Sequence, residues 1–375
     1  MTRHQARTMP FSELYDGLCA AVDKRLVTEA VSPDGNLSLY TYSRSCVYDR
    51  QWTPVTLMAR GLILNVYREQ IVATPFPKFF NLGERTEPLP DTDFDVFEKL
   101  DGSLIIIYHY DGEWRTATKG SFVSAQAKWA AEWLAGRDLS ALVPGATYLA
   151  EAIYPENRIV IHYDEEALVL LAAYGEDGHE LSRNDLATTA DRLGWRCAKR
   201  FTFESIEYLC SHAQKLPPNE EGFVLRFHDG TRVKIKGDEY RRIHALISRV
   251  TPLAMWEAMA AGDNMELLRR ELPEEFWADF DLIVRLLDGH VTKLVNRVRS
   301  VADPLGCLTD KEVGLMLNDL PADVRPLVFP YRKQGGDILT GRARAAVFRS
   351  LRPTGNVLPG YAQSGAMNRI QDEAV

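Results

Sequence analysis

Lys99 lies in the stretch FDVFEKLDGSLIIIYHY, between two apolar runs and directly before the triplet Asp101-Gly102-Ser103. A primary amine attacks phosphorus only when it is unprotonated, yet a free lysine has a pKa of about 10.4. Desolvation or neighbouring cations lower that pKa and so create a usable nucleophile. Lys99 is therefore a candidate nucleophile for phosphoryl or nucleotidyl transfer. The alternative is a surface hairpin, because Asp-Gly is a common turn pair.

A lysine nucleophile needs further cations around it, and such cations also bind the phosphates of a substrate. The segment VKIKG carries Lys234 and Lys236, and strand alternation points both side chains to one face. Two like charges side by side cost energy unless an anion lies between them. Solvated lysines on an edge strand are the alternative interpretation. Three further candidate cations stand in the segments MARGLIL, FPKFFN and ATKGSF, namely Arg60, Lys78 and Lys119.

Two glutamates complete this set of residues. Glu151 stands in the segment YLAEAIYPENRIVI, in an apolar strand context where an unpaired charge would be costly. Glu221 stands in NEEGFVLRF, directly before a glycine and a strand-like run. Carboxylate oxygens suit Mg²⁺, which binds one or two carboxylates together with phosphate oxygens and water. A cation pocket and a metal ion would together neutralise charge during nucleotidyl transfer.

The composition, with 375 residues, 46% hydrophobic and 26% charged, predicts a globular protein of about two domains. A net charge of -8 neither indicates nor excludes a nucleic-acid partner, because only the local field at a groove acts on phosphates. The five cysteines are scattered without a CxxC pair, which is typical of reduced thiols. The N-terminus lacks the apolar region of a signal peptide, and no run approaches the roughly 18 apolar residues of a membrane span. We therefore expect a cytoplasmic protein with no membrane partner.

Short strands dominate the chain up to about residue 245. Two helices interrupt them, SAQAKWAAEWLAG and SRNDLATTADRLG, the second with Ser182 as a plausible N-cap and Gly194 after its end. This pattern predicts an α+β domain built on antiparallel sheet over residues 1–245. The strand-like segments are rich in β-branched and aromatic residues: LSLYTYS, RGLILNVY, SLIIIYHY, RIVIHY, ALVLLAAY, GFVLRF and RVKIKG.

Helical patterns replace strand patterns after about residue 245. Residues 276–300 carry apolar side chains at steps of three or four, which is one stripe of a helix. The segments DKEVGLMLNDL and GRARAAVFRSL predict shorter helices. We therefore expect an all-α C-terminal domain over residues 246–375. The stripe consists of Phe276, Phe280, Ile283, Leu287, Val291, Leu294 and Val298.

Taken singly, these motifs are weak, but their order along the chain is specific. In that order they resemble the covalent nucleotidyltransferase superfamily of ATP-dependent ligases and mRNA capping enzymes, and in detail the phage T-even RNA ligase 1 family. The resemblance spans roughly residues 55–240. One departure is Leu100, where related ligases often carry a polar residue. The matching segments are ARGLIL, PFPKFFNLGE, EKLDGS, TKGSF, EAIYPENRIVI, EGFVLRF and VKIKGDEY.

The resemblance implies a role for each matched residue. Lys99 would take AMP from ATP as a lysyl phosphoramidate, with Lys234 and Lys236 on the α-phosphate and its transition state. Lys119 would be a further catalytic cation on the triphosphate. Glu221 would bind the metal ion, and Glu151 the metal ion or the ribose. The remaining nucleotide-binding positions implied are Arg60 and Lys78 on the triphosphate, Phe80 on the nucleotide side, Asp101 and Gly102 in the nucleophile's turn, and Tyr240.

The resemblance also implies the reaction and its partners. AMP would pass from Lys99 to a 5′-phosphate RNA end, and a 3′-hydroxyl would then seal the strand and release AMP. ATP and Mg²⁺, with Mn²⁺ as a possible substitute, would be the cofactors. The expected task is RNA repair, with cleaved tRNA as the substrate and an end-healing kinase-phosphatase as the pathway partner. The protein would act as a monomer.

Other functions compete with this one. A DNA ligase or a capping enzyme follows the nucleotidyltransferase domain with an OB-fold, a small barrel of strands, whereas residues 246–375 here have helical patterns. A catalytically silent RNA-binding relative is a further alternative. The intact set of lysines disfavours it, because binding alone does not require Lys99.

Overall fold

In the computed structural model, residues 3–85, 87–273 and 276–363 are described. The chain divides between Arg242 and Ile243 into two compact units. The first unit combines antiparallel sheets with helices, and the described part of the second is helical. The α+β class predicted from the sequence is confirmed. The predicted C-terminal domain extends to residue 375, and its last stretch, 364–375, lies outside the described residues.

Two four-stranded antiparallel sheets form part of the first unit. The first has the order β1-β2-β3-β4, and the second has the order β10-β9-β7-β8. Buried aliphatic and aromatic side chains cover both sheets, among them Leu39 and Ile63 on the first and Ile106 and Leu149 on the second. The strands are β1 (Val27–Val31), β2 (Ser38–Tyr42), β3 (Arg60–Asn65) and β4 (Gln70–Ala73), then β7 (Ser103–Tyr110), β8 (Glu113–Ala117), β9 (Thr147–Ile153) and β10 (Ala167–Tyr174).

The third sheet has five strands in the order β11-β6-β12-β13-β5, with β5 parallel to β13 and the other pairs antiparallel. Alternation divides its residues between two faces. Val233 and Ile235 of β13 pack in a hydrophobic core, so Lys234 and Lys236 lie on the opposite face. The strands are β5 (Phe80–Asn81), β6 (Phe94–Lys99), β11 (Arg200–Phe201), β12 (Gly222–Phe227) and β13 (Arg232–Lys236).

Helices and irregular segments connect these strands. The helix over 183–193 begins as predicted, because the Ser182 side chain accepts a hydrogen bond from the Asp185 N–H, and it ends at Gly194 in the left-handed region. The predicted strand RIVIHY is wrong: residues 158–163 form an irregular segment. The helices of the first unit are α1 (Phe11–Asp23), α2 (Arg44–Tyr48), α3 (Pro54–Met58), α4 (Ala125–Leu134), α5 (Arg183–Leu193) and α6 (Ile206–Ala213), and α7 (Asp238–Ser248) contains the division point.

The second unit is built around one long helix. α10 (Trp277–Ala302) carries the predicted apolar stripe, and the described side chains of that stripe are buried from Phe276 to Val298. The other two predicted helices are also confirmed, as α11 and α13. None of the described helices combines the length and the apolarity that crossing a bilayer requires. The remaining helices are α8 (Pro252–Ala261), α9 (Met265–Glu271), α11 (Asp310–Met316), α12 (Val328–Lys333) and α13 (Gly341–Ser350).

Candidate active site

Lys99 is the last residue of β6, and the turn that follows it leads into β7, a strand of another sheet. The hairpin alternative is therefore wrong, because the two strands do not pair with each other. Leu100 explains how an apolar residue fits this turn. It is 5% exposed and packs against the buried side chains of Ile153 and Val169.

Lys99 lies opposite Gly222, which in turn lies opposite Lys236, in one row across β6, β12 and β13. Gly222 adopts a φ of 144°, and a Cβ there would collide with the Ile235 carbonyl, so only glycine fits. The strand entry at Gly222 places the preceding residue, Glu221, between the two lysines. Its carboxylate is 2.7 Å from the Lys99 Nζ and 2.9 Å from the Lys236 Nζ.

The buried Glu221 carboxylate is ionised because of these two lysines. Burial alone raises its pKa, but the charges and hydrogen bonds of Lys236 and Lys99 outweigh burial and hold the pKa below its ordinary value. From the sequence we expect cations around Lys99, with Glu221 as a metal ligand. The structure instead pairs Lys99 with a carboxylate that is 1% exposed. Lys99 is thus held in place by a charged hydrogen bond.

Lys234 is the cation that lacks such a partner. Burial lowers the pKa of Lys234 to about 7, with further contributions from Lys99, Lys236, Lys78 and Arg60. Within the described parts of the chain, its ammonium forms no ion pair with a carboxylate. A buried amine among four other cations is a site that an anion would stabilise.

An aromatic box surrounds Lys78. Its Nζ lies 5.0 Å from the ring centroid of Tyr42, 5.4 Å from that of Trp52 and 5.7 Å from that of Phe80. Phe80 lies on β5, whose residue Asn81 is opposite Lys234, so this box adjoins the lysine row. Burial, and to a smaller extent Arg60 and Lys119, lower the pKa of Lys78, whereas Tyr42 opposes this effect.

Tyr42 is a site residue that the sequence reasoning did not predict. Burial alone raises the pKa of its phenol, but the charges of Arg60, Lys78 and Lys119 outweigh burial and lower the pKa. Its hydroxyl therefore lies among three of the predicted triphosphate-binding cations. The only sequence signal was its position in the strand LSLYTYS, which is equally typical of a core tyrosine.

Arg60 has an unsatisfied buried donor in the same region. Its guanidinium lies over the Phe79 ring, with 5.4 Å from Cζ to the centroid. The Nη1 atom is buried and has no hydrogen-bond partner among the described residues. A buried guanidinium donor without an acceptor destabilises the fold, unless an oxygen of a bound ligand accepts its hydrogen bond.

Asp101 and Tyr240 hold the turn that follows Lys99. The Tyr240 hydroxyl donates to Asp101 Oδ1 at 2.7 Å, and the N–H groups of Val160 and Ile161 donate to Oδ2 at 2.8 and 2.7 Å. Asp101 is 2% exposed, and burial followed by the charge of Glu221 raises its pKa. Tyr240 also presents its ring to Lys236, whose Nζ is 5.0 Å from the centroid.

Glu151 lies on β9 beside this turn. A Cβ built on Gly102 would be 3.1 Å from the Glu151 Cγ and would collide with the Ala152 carbonyl, so glycine allows the turn to approach the strand. Glu151 is half-buried. No three His, Cys, Asp or Glu side chains group closely enough to hold a metal ion by themselves in the described ranges. Glu151 and Glu221 therefore supply separate carboxylates.

The predicted site residues thus come from distant parts of the first unit into one region. Four further cations and the aromatic box adjoin the two lysines and the glutamate of the row, which makes six cations in all, and Lys234 forms no ion pair with a carboxylate among the described residues. This arrangement suits a polyanionic ligand, such as a triphosphate, in contact with a lysine nucleophile. The six cations are Arg60, Lys78, Lys99, Lys119, Lys234 and Lys236.

Comparisons with known proteins find similarity to RNA ligases. The model of a family described as RNA ligase matches residues 58–240. A putative RNA ligase of Thermovibrio ammonificans is 32% identical over 213 residues, which are 51% of this chain and 54% of that protein. A putative bifunctional polynucleotide kinase/RNA ligase of Autographa californica nuclear polyhedrosis virus is 29% identical over 249 residues, 57% of this chain and 35% of that protein. The chain thus spans about half or less of the length of these relatives.

The fold is also similar to that of a solved structure. An archaeal ATP-dependent RNA ligase superposes with a TM-score of 0.50 and 15% sequence identity, over 75% of this chain and 83% of that one. At this identity the likeness concerns the fold alone. It agrees with the antiparallel-sheet architecture that carries the lysine row.

Proposed function

We propose that this chain is an ATP-dependent RNA ligase, because the model of a family described as RNA ligase matches residues 58–240. It joins a 3′-hydroxyl end to a 5′-phosphate end of RNA. The observation that carries this proposal is the row of Lys99, Glu221 and Lys236, with the unpaired Lys234 beside it. A nucleophilic amine, a buried carboxylate and uncompensated cations are the groups that nucleotidyl transfer requires.

In the first step, the neutral Lys99 amine attacks the α-phosphorus of ATP. A nitrogen–phosphorus bond forms, and the bond from that phosphorus to the bridging oxygen of the β-phosphate breaks. Pyrophosphate leaves with the electron pair, and the amine releases a proton to solvent. Lys99 then carries AMP as a phosphoramidate. The attack needs Lys99 to leave its pairing with Glu221, because a paired ammonium has no free electron pair.

In the second and third steps, AMP passes to RNA and is then displaced. A 5′-phosphate oxygen of the RNA attacks the phosphoramidate phosphorus, a phosphoanhydride bond forms and the nitrogen–phosphorus bond breaks, and the Lys99 nitrogen takes up a proton from solvent to become an amine again. The 3′-hydroxyl of the other RNA end then attacks the 5′-phosphate and gives its proton to solvent; the phosphodiester bond forms, the phosphoanhydride bond breaks and AMP leaves with the electron pair. The last step does not use the Lys99 amine. Variants of Lys99 therefore separate the first step from the last.

The cations of the site provide the groups that bind the triphosphate of ATP. Lys234 and Lys236 neutralise the α-phosphate and the charge that develops on it during transfer. Arg60, Lys78 and Lys119 line the β- and γ-phosphates. The unsatisfied Nη1 of Arg60 and the unpaired Lys234 fit such a ligand, because phosphate oxygens would accept hydrogen bonds from both side chains.

A divalent metal ion fits the same region, and we take Mg²⁺ as the ion, with Mn²⁺ as a substitute. Glu221 and Glu151 would hold it, since carboxylate oxygens are the ligands that Mg²⁺ prefers beside phosphates and water. When bound, the metal neutralises charge on the phosphates. Binding by Glu221 would compete with its contacts to Lys99 and Lys236.

The proposed substrate is RNA with a broken backbone. More specifically, we propose that the protein repairs tRNA in the cytoplasm. An end-healing kinase-phosphatase would supply the 5′-phosphate and 3′-hydroxyl ends. The name of the viral relative, a putative bifunctional polynucleotide kinase/RNA ligase, combines a kinase with a ligase in that protein. For this protein we propose a monomeric ligase with the kinase-phosphatase as its pathway partner.

Intact mass measurement after incubation with ATP and Mg²⁺ tests the proposal. We expect a gain of one AMP per chain, and peptide mapping should place it on Lys99. Parallel incubations with GTP, and with nicked DNA instead of RNA, test the capping-enzyme and DNA-ligase alternatives. A chain that gains no nucleotide would not be a ligase and would fit the silent RNA-binding alternative.

A further inference from the structure

The irregular segment 158–163 contacts the turn that follows Lys99 at several points. We propose that Tyr163 is a positioning residue for Lys99, and that segment 158–163 clamps the nucleophile's turn through Asp101. This inference rests on the proposed function, because it assigns the clamp to the first step of the reaction. It adds a residue that the resemblance and the comparisons leave without a role.

The first contact is made by the carboxylate of Asp101. Val160 and Ile161 both direct their N–H groups to one oxygen of this buried carboxylate, at 2.8 and 2.7 Å. This explains why a segment with strand-like composition forms no strand. Its backbone donors bind a side chain instead of a neighbouring strand, and two adjacent N–H groups converge on one anion.

The second contact is made by the backbone of Asp101. The Asp101 N–H donates to the Tyr163 hydroxyl at 2.9 Å. The Tyr163 ring packs against the cluster of Leu100, Ile153 and Val169, so the hydroxyl is fixed by a half-buried ring. Burial, the largest effect, raises the pKa of Tyr163, so its hydroxyl is neutral.

These contacts enclose the residue two positions after Lys99. Val160 and Ile161 hold the side chain of Asp101, Tyr163 holds its backbone, and a further bond joins Ser103 to Asn157 at 3.0 Å. A nucleophile must reach phosphorus at the correct distance and direction. A displacement of about 1 Å costs on the order of a hundredfold in rate. Loosening the turn would therefore slow the attack by Lys99 without removing any group that binds ATP.

Tyr163→Phe tests the clamp, because it keeps the ring and removes only the hydroxyl. The matched control is Tyr148→Phe: the Tyr148 hydroxyl accepts from the Val143 N–H at 3.0 Å, the same kind of bond, and the ring packs in a different hydrophobic cluster. For wild type and both variants, we would measure the rate of AMP transfer to the chain against ATP concentration. We would also measure sealing of pre-adenylated RNA and the melting temperature.

For Tyr163→Phe we expect the maximal rate of AMP transfer to fall about tenfold or more, with the ATP concentration for half-maximal rate within about twofold of wild type. Sealing of pre-adenylated RNA should stay at the wild-type rate, since that step does not use the amine. Tyr148→Phe should resemble wild type in both reactions. This split between reactions would not arise from a general loss of folded protein.

Three outcomes would overturn the proposal. If Tyr163→Phe transferred AMP at the wild-type rate, the hydroxyl would not position Lys99. If it lost both reactions in parallel with a lowered melting temperature, the residue would be structural only. A wild-type chain that takes no AMP would overturn the proposed function itself, and this is seen at the baseline before any variant is compared.

Discussion

The Lys99 ammonium donates a 2.7 Å hydrogen bond to the carboxylate of Glu221, which lies 122 positions later in the chain. Replacing Lys99 by Ala should abolish AMP transfer to the chain and joining of RNA with a plain 5′-phosphate, because the nucleophile is gone. Pre-adenylated RNA should still be sealed. Intact mass and gel assays of the two RNA substrates measure these outcomes.

Lys128→Ala is the matched control for this variant, since Lys128 is an exposed lysine of α4. It should take AMP and seal RNA as the wild type does. If Lys99→Ala still gained AMP, another residue would be the nucleophile, and peptide mapping would identify it.

Glu221→Gln should lower the free energy of unfolding at neutral pH by about 1–3 kcal/mol, because Lys99 and Lys236 lose a buried counter-charge. The folded-state pKa of Glu221 lies below its ordinary value of 4.5, so the carboxylate stabilises the fold above that pH. This stability is lost as the pH falls through the lower, folded-state pKa. Denaturant unfolding from pH 7 down to pH 3 should therefore show the difference between variant and wild type shrinking.

Glu165→Gln provides the comparison for an exposed ion pair. Glu165 pairs with Arg196 at 2.8 Å and is half exposed, so its replacement should change stability little at any of these pH values. Equal effects of the two variants would contradict the importance assigned to burial at Glu221.

Lys234→Met should stabilise the ligand-free protein near pH 7 by about 1–2 kcal/mol while impairing AMP transfer. Burial and four neighbouring cations lower the pKa of Lys234 to about 7, so the protonated amine is disfavoured in the folded chain. The unfolded chain keeps this proton up to the ordinary pKa of 10.5. Because the unfolded chain then binds more protons than the folded chain, the free energy of unfolding of the wild type increases as the pH rises from 7 towards 10.5. Thermal unfolding should show the advantage of the variant declining over that range.

Trp52→Leu should raise the ATP concentration needed for half-maximal AMP transfer by about two- to fivefold, because one cation–π contact of Lys78 is removed. The maximal rate should change less than this concentration does, since the cation–π contact of Trp52 is with Lys78, which is proposed to bind the triphosphate and not to take part in the attack. Tyr67→Leu, at an 84% exposed aromatic residue, is the control. A rate loss without any change in ATP dependence would argue against the box as a binding feature.

The arginines of α13 divide into two classes. Arg342 and Arg349 are exposed and seven residues apart, hence on one helix face, whereas Arg344 donates to the carbonyls of Met259 and Ala260 at the end of α8. The double variant Arg342→Ala/Arg349→Ala should weaken RNA binding and reduce its salt dependence by about two phosphate contacts. Binding titrations at several salt concentrations measure both quantities.

Arg344→Ala should instead lower the melting temperature of the protein, because two carbonyls of α8 lose their donor. It is the internal comparison for the double variant. RNA binding that survived the loss of Arg342 and Arg349 with an unchanged salt dependence would remove this helix face from the RNA site. Arg352, which follows the end of α13, lies 3.9 Å from Glu257 and over the Trp256 ring.

The sequence by itself predicted six strands correctly, together with the long helix and the lysines of the row. Alternation in RVKIKG separates Val233 from Lys234, and three- or four-residue spacing marks the buried face of α10. These features depend on neighbours only a few positions away. Local periodicity therefore suffices to predict them, and it also placed Ser182 correctly at the start of α5.

Only the tertiary structure decided how the site residues pair. The carboxylate between Lys99 and Lys236, the position of Tyr42 among three cations and the bonds from segment 158–163 to Asp101 all join residues far apart in the chain. The segment RIVIHY has the composition of a strand but forms none, because two of its backbone N–H groups donate to the buried Asp101 carboxylate. Charge pairing and burial depend on which distant groups share a small volume, and no local pattern encodes that.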